Sequence, residues 1–184
     1  MAGADAMLTL VTGPSRSGKS RWAEHLALHS GRPVTYIATG PRLEGDVSWS
    51  ERLALHRRRR PADWPTWEVE GQLSAALEQA PAERLLLIDS LGTWLAHHLE
   101  LDTGAWELEQ QHLLSALQRC RAAALIVSEE TGWGVVPPTA IGGRFRDRLG
   151  ALQQELLPRC NEAWLVVHGR AIDLLRLSRP VPEL

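Results

Sequence analysis

Gly13, Gly18, Lys19 and Ser20 stand at the spacing G-x-x-x-x-G-K-[ST] inside the stretch LVTGPSRSGKSRWAE, the pattern of a phosphate-binding loop. The residue types explain the chemistry. Glycines let consecutive backbone N–H groups close around an anion, the lysine ammonium reaches the β- and γ-phosphates, and the hydroxyl after it ligates Mg2+. Gly13, Pro14, Ser15, Arg16, Ser17, Gly18, Lys19 and Ser20 are therefore candidate contacts to a nucleoside triphosphate, with Lys19 catalytic and Ser20 a metal ligand. Such a loop works only between a buried strand and a helix N-terminus, whose dipole favours the anion. The apolar run Met7–Val11 reads as that strand, and Ser20–Ser30 as that helix, with Trp22, Leu26 and Leu28 available to face a sheet.

A second group with metal chemistry is Asp89, in RLLLIDSLGTWLAHHL, at the carboxyl end of an apolar strand pattern. An acid there holds Mg2+ opposite the loop hydroxyl in phosphate-loop proteins. The alternative is an N-cap for the next helix, and the two roles are compatible.

The third stretch is SERLALHRRRRPADWPTWEVE. Ser50 is a candidate N-cap and Pro61 a stop, so the spacing predicts a helix over Ser50–Arg60. Arg52, His56, Arg59 and Arg60 fall on one face of it, and Leu53, Ala54 and Leu55 form a thin opposing stripe. The arginines Arg57, Arg58, Arg59 and Arg60 make a local anion site, since guanidinium forks match phosphate oxygens. Three readings stand side by side: a solvated basic face, a nucleic-acid patch with Trp64 and Trp67 as stacking platforms, or a catalytic imidazole at His56. In the last case surrounding cations keep the ring neutral and nucleophilic and neutralise a departing pyrophosphate.

These groups need a scaffold, and the rest of the chain supplies one. Apolar, β-rich segments recur at Leu8–Thr12, Val34–Ala38, Leu85–Asp89, Ala124–Ser128 and Trp164–Val167, with helical patterns at Leu91–Leu99, Ala105–Arg121 and Gly143–Arg159 besides those above. Continuous apolar strands alternating with helices predict a parallel sheet covered on both faces. The closing EAWLVVHGRAIDLLRL has two apolar stretches around His168, Gly169 and Arg170, which predicts a hairpin adding one antiparallel strand. The 184 residues fit one α/β phosphate-loop domain over 1–184, with residues 1–6 read as a disordered lead-in. The net charge of −2 gives no global pull toward nucleic acid or an anionic membrane. No apolar run reaches membrane-spanning length, MAGADA has neither the basic start nor the apolar core of a signal peptide, and Cys120 and Cys160 lack metal-ligand spacing. A cytoplasmic protein with free thiols is the expectation. Eight Trp stand against one Phe and one Tyr, more large rings than a small core needs, and Trp is common at interfaces.

Several blocks in order resemble the bifunctional adenosylcobinamide kinase / adenosylcobinamide-phosphate guanylyltransferase family of cobalamin biosynthesis. They are VTGPSRSGKSRWAE, YIATG, RLALHRRRRPADWPTWE, IDSLGTWL, VSEETGWGVVP and GRFRDRLGALQQEL, and the resemblance runs from the loop to the C-terminal strands, over residues 7 to 177. The His-Arg-Pro-Trp-Glu block is the diagnostic one. The resemblance implies a RecA-like, mostly parallel sheet and a homotrimer with shared active sites. It implies two reactions: phosphorylation of adenosylcobinamide by ATP or GTP, then transfer of GMP from GTP, through a GMP-histidine intermediate, to the new phosphate with release of pyrophosphate. It assigns the nucleophile to His56, the nucleotide surroundings to Thr39, Gly40, Pro41, Arg57, Arg58, Arg59, Arg60, Glu68 and Asp89, and Mg2+ to Ser20 and Asp89. The partners it implies are a corrinoid and nucleoside triphosphates, with neither nucleic acid nor a membrane span. A relative keeping one of the two activities, or a phosphate-loop kinase of another small alcohol, remains the alternative. The chain departs from the family motifs at Gly92, Glu129 and Gln153, where the pattern has Thr, Asn and Asn. Glu129, Glu130 and Asp147 are the candidates for the base that activates the acceptor hydroxyl.

Overall fold

A computed structural model describes residues 7–41, 60–134 and 137–182. The predicted lead-in at residues 1–6 and the helix predicted over Ser50–Arg60, all but its last residue, lie outside the described residues.

Among the described residues, seven strands form one sheet: β1 (Leu8–Gly13), β2 (Val34–Ala38), β3 (Thr66–Glu68), β4 (Leu85–Asp89), β5 (Ala123–Glu129), β6 (Glu162–Val167) and β7 (Arg170–Asp173). Their order is β3-β2-β4-β5-β1-β6-β7. All neighbours are parallel except the last pair, where Val167 faces Arg170 in an antiparallel hairpin. The predicted terminal hairpin is present, turning at His168 and Gly169, both with positive φ (51° and 75°).

The central strands read as unbroken apolar runs because both faces are covered. Side chains alternate between faces along a strand. Leu86 and Ile88 of β4 and Ala124 and Ile126 of β5 therefore enter one core cluster, while Leu85, Leu87, Ala123, Leu125 and Val127 enter another. The first cluster is closed by α2 (Leu73–Gln79), α3 (Leu91–His97), α4 (Thr103–Arg119) and α5 (Ala140–Leu156). The second is closed, among the described residues, by α1 (Lys19–Leu28), with Ala23 and Ala27 packed on the strands and Trp64 against them. A short helix α6 (Leu174–Leu177) follows β7.

Caps account for the helix limits. Asp102 accepts from Ala105 N–H and starts α4 two residues earlier than the apolar period suggested. Thr139 accepts from Gly142 N–H and starts α5 three residues early, and Pro158 sits at the start of the following 3-10 turn, which Cys160 caps. Three elements among the described residues were missed, the three-residue β3, the seven-residue α2 and the four-residue α6, all too short to show a period. Leu28 does not face the sheet. It is 54% exposed, and the buried face of α1 is Lys19, Ala23, Glu24 and Ala27.

The core is anchored by Trp94, which is fully buried, donates its indole N–H to Gly71 O at 3.1 Å and sits 5.9 Å from the Trp106 ring. Trp94→Ala is expected to cost about 3–5 kcal/mol from the cavity it leaves, whereas Trp94→Phe, losing one hydrogen bond and part of the volume, costs less; urea unfolding of the two variants checks the order. Both cysteines are free thiols, and burial pushes that of Cys160 up to about 12.

Candidate active site

Strand register places the predicted chemistry along the carboxyl edge of the sheet. Gly13 lies opposite Glu129, Asp89 opposite Val127 and opposite Ala38, and Ala38 opposite Glu68. β5 therefore runs between the loop strand and the Asp89 strand.

The loop from Gly13 to Ser20 joins β1 to α1. Gly13 has no room for a side chain: a Cβ would meet Val166 O at 2.3 Å and Ser17 Oγ at 2.8 Å. Gly18 has φ 102°, and Arg16 takes φ 58° despite its side chain, a conformation that costs energy in a non-glycine residue. Ser17 is buried, and its carbonyl accepts from Gly169 N–H at 2.9 Å, which ties the loop to the β6–β7 turn. Gly13→Ala is accordingly expected to displace the loop from β6 and abolish nucleotide binding, as titration with a fluorescent nucleotide would show. Lys19 is buried within the loop, 6% exposed, and its ammonium donates to Pro14 O at 3.4 Å. α1 has no acid in its first turn and no side-chain cap, which leaves its N–H groups and its dipole to an anion.

Asp89 ends β4, partly buried, and accepts the Tyr36 hydroxyl at 3.1 Å on Oδ2. Burial first, and the adjoining carboxylate second, push the Tyr36 phenol well above its ordinary range, so it stays a donor to Asp89. The Arg60 guanidinium lies 3.4 Å over the centre of the Tyr36 ring, a stacked cation–π contact. The last residue of the arginine run is thus seated beside the partner of Asp89, while His56, Arg57, Arg58 and Arg59 lie outside the described residues. Asp89 is not the N-cap of α3. That role belongs to Ser90, whose side chain accepts from Thr93 N–H in a capping box.

Thr39 is fully buried and knits β2 to β4: its Oγ1 donates to Ser90 O at 2.6 Å and accepts from Ser90 N–H at 2.9 Å. The His97 ring bonds Thr39 O at 2.9 Å. Gly40 and Pro41 follow, both partly buried, and Glu68 is exposed at the end of β3.

Of the three candidate bases, Asp147 is 72% exposed and pairs with Arg146 at 3.3 Å. Glu130 accepts the Thr12 hydroxyl at 2.5 Å. Glu129 has both oxygens engaged: Oε1 accepts Ser90 Oγ at 2.5 Å, and Oε2 accepts Gly92 N–H at 3.0 Å. Burial raises its carboxyl above the usual range, against the Ser90 hydrogen bond and the Lys19 ammonium, which lower it. Gln153 donates to Ser128 Oγ at 2.8 Å and Glu129 O at 3.0 Å, bracing the end of β5. The contacts of Glu129 with Ser90 and Gly92, and of Gln153 with Glu129, have no local sequence signal, because the partners are 24 to 39 positions apart.

The hydroxyl of Ser20 and the carboxylate of Asp89 are hard oxygen donors of the kind Mg2+ takes, alongside phosphate oxygens. The residues present fit the ion.

A family model described as "Cobinamide kinase / cobinamide phosphate guanyltransferase" matches residues 9–174. The chain is 41% identical over 170 residues to the "Bifunctional adenosylcobalamin biosynthesis protein CobP" of Pseudomonas aeruginosa, covering 91% of this chain and 97% of that one. It is 34% identical to the protein titled CobU of Escherichia coli and 36% identical to that of Salmonella typhimurium, over 91% of this chain and 99% of each. Among solved structures, the RadB recombinase overlaps it with a TM-score of 0.45 at 18% identity, over 88% of this chain and 74% of that one.

Proposed function

We infer the chemistry of this site from the premise that the chain belongs to the cobinamide kinase / cobinamide phosphate guanyltransferase family. It is a transferase of cobalamin biosynthesis with both activities, on a phosphate-loop α/β domain. The substrates are a corrinoid and nucleoside triphosphates. The observation that carries the reading is the joining of three separate motifs at one edge: the loop, Asp89 one strand beyond β5, and Arg60 stacked on the tyrosine that holds Asp89.

In the first step the aminopropanol hydroxyl of adenosylcobinamide attacks the γ-phosphorus of ATP or GTP. The bond to the β-phosphate oxygen breaks, the nucleoside diphosphate leaves, and the hydroxyl proton passes to a base or to water. Lys19 and the loop N–H groups hold the phosphates; Ser20 and Asp89 would hold Mg2+, which would supply charge neutralisation when bound. In the second step an imidazole nitrogen of His56 attacks the α-phosphorus of GTP and pyrophosphate leaves. An oxygen of adenosylcobinamide phosphate then attacks the same phosphorus, breaking the P–N bond and forming adenosylcobinamide-GDP. Arg57–Arg60 neutralise the pyrophosphate, and Thr39, Gly40, Pro41 and Glu68 border the nucleotide. Covalent catalysis divides one transfer into two easier ones.

Incubation with GTP labelled at the α-phosphate, followed by a denaturing gel, tests this. The expected result is protein-bound label that is stable to base and lost in acid, as a phosphoramidate is. Absence of label under conditions where adenosylcobinamide is phosphorylated would leave a kinase alone.

The assembly proposed is a homotrimer. Ile172, Leu175, Leu177 and Val181 are exposed, from 40% to 90%, around the carboxyl end, an apolar surface suited to association. A cytoplasmic location is proposed with it. No helix among the described residues is long and apolar enough to cross a membrane.

A further inference from the structure

We propose that Glu129 and Gly92 are a matched pair that positions Asp89: the Glu129 carboxylate fills the space a side chain at residue 92 would occupy, and from there it holds the turn that carries Asp89. The proposal rests on the phosphoryl-transfer reading above and assigns Glu129 a positioning role in place of that of a base.

The strand order sets the geometry. β5 lies between the loop strand and the Asp89 strand, so its last residue, Glu129, reaches the residues just after Asp89 from the side. Its two oxygens take two different donors, the Ser90 hydroxyl at 2.5 Å and Gly92 N–H at 3.0 Å. Ser90 is in turn bonded to Thr39 through both its N–H and its carbonyl. The residue following Asp89 is therefore held from β2 on one side and from β5 on the other, and Tyr36 holds the carboxylate itself.

Gly92 makes this possible. A Cβ there would lie 2.3 Å from Glu129 Oε2 and 3.0 Å from Glu129 Cδ, with Phe145 Cζ at 3.4 Å closing the space beyond. The first atoms met belong to the end of a flexible side chain rather than to backbone. A methyl group at 92 is accommodated by expelling the carboxylate, with the helix left in place. Gly92→Ala and Glu129→Ala thus break the same two hydrogen bonds by different routes.

That equivalence gives the test. Gly92→Ala, Glu129→Ala, the double variant and Glu129→Gln are assayed for phosphorylation of adenosylcobinamide, with kcat, nucleotide KM and the Mg2+ concentration for half-maximal rate measured separately. Thermal melting is recorded without nucleotide or metal. Residues that orient metal ligands typically change affinity or activity by about 10-fold to 100-fold when lost. Each alanine variant is expected to lose kcat by about that factor and to need more Mg2+, with nucleotide KM little changed because the loop is intact. The double variant is expected to be no worse than either single one, in rate and in melting temperature, since interacting sites are non-additive. Glu129→Gln, which keeps an acceptor for Gly92 N–H and a polar partner for Ser90, should retain most of the rate. Multiplying effects in the double variant would overturn the pairing. Lower melting with unchanged rates and Mg2+ requirement would overturn the positioning role. A Glu129→Gln variant as damaged as Glu129→Ala would do the same in favour of a proton-accepting carboxylate. If the wild-type protein failed to phosphorylate adenosylcobinamide, the functional reading would fall, and the melting cycle would still decide whether 92 and 129 act as one unit.

Discussion

Lys19→Ala is expected to lower both phosphorylation of adenosylcobinamide and guanylyl transfer by about 100-fold to 1000-fold, the scale on which a preorganised group that meets developing charge contributes. The two activities fall together because both begin with one triphosphate held in one loop. The side chain reaches the β- and γ-phosphates. In the first reaction the charge that develops lies on the γ-phosphoryl and its leaving oxygen, and in the second on pyrophosphate. Lys19 is 6% exposed, so alanine also empties part of the loop. Lys19→Met controls for this, since it keeps the length of the stem and removes the ammonium. Both variants should melt near the wild-type temperature, because the hydrogen bond the ammonium gives up, to Pro14 O, is a long one at 3.4 Å. A Lys19→Met variant with near wild-type turnover of GTP would show that the loop does not hold the transferred phosphates.

His56→Ala is expected to lose guanylyl transfer and the GMP-enzyme adduct while keeping much of the kinase activity. γ-Phosphoryl transfer needs the loop, Mg2+ and an acceptor hydroxyl, and no imidazole enters it. Transfer through a covalent histidine intermediate has no route without the nucleophile. His56→Asn keeps polarity and approximate size and so controls for disturbance of the segment around it. Four of the other histidines have contacts of their own. His97 bonds Thr39 O and His98 bonds Gly71 O, both as parts of the scaffold, and the rings of His25 and His29 lie 4.2 Å apart, tilted, at the end of α1. Phosphorylation and conversion to the GDP form should be followed separately for each variant. An adduct in both variants would remove His56 from the mechanism, and joint loss of adduct and phosphorylation would assign the segment a structural role.

The local features of the chain were legible because each rests on a short physical rule. The loop spacing specifies its own conformation: Gly13 and Gly18 stand where the backbone needs a close approach or a left-handed φ. The central strands declared themselves as unbroken apolar runs because helices and neighbouring strands cover them. The family followed from blocks whose order survives in the chain. The sequence also placed Asp89 at a strand end.

What only the tertiary structure decided is which strand lies beside which, and this changes the meaning of particular residues. Hydrophobic pattern specifies a buried strand without specifying its neighbour, since any apolar face satisfies another. The order β4-β5-β1 puts Glu129 between the loop and Asp89 and turns a candidate base into an acceptor already bonded to Ser90 and Gly92. Read one at a time, Gly92 and Glu129 were two unrelated departures from a motif. In three dimensions one carboxylate occupies the volume the other residue vacates, 37 positions away in the chain. Excluded volume acts between side chains in space, and no property of either segment alone encodes it.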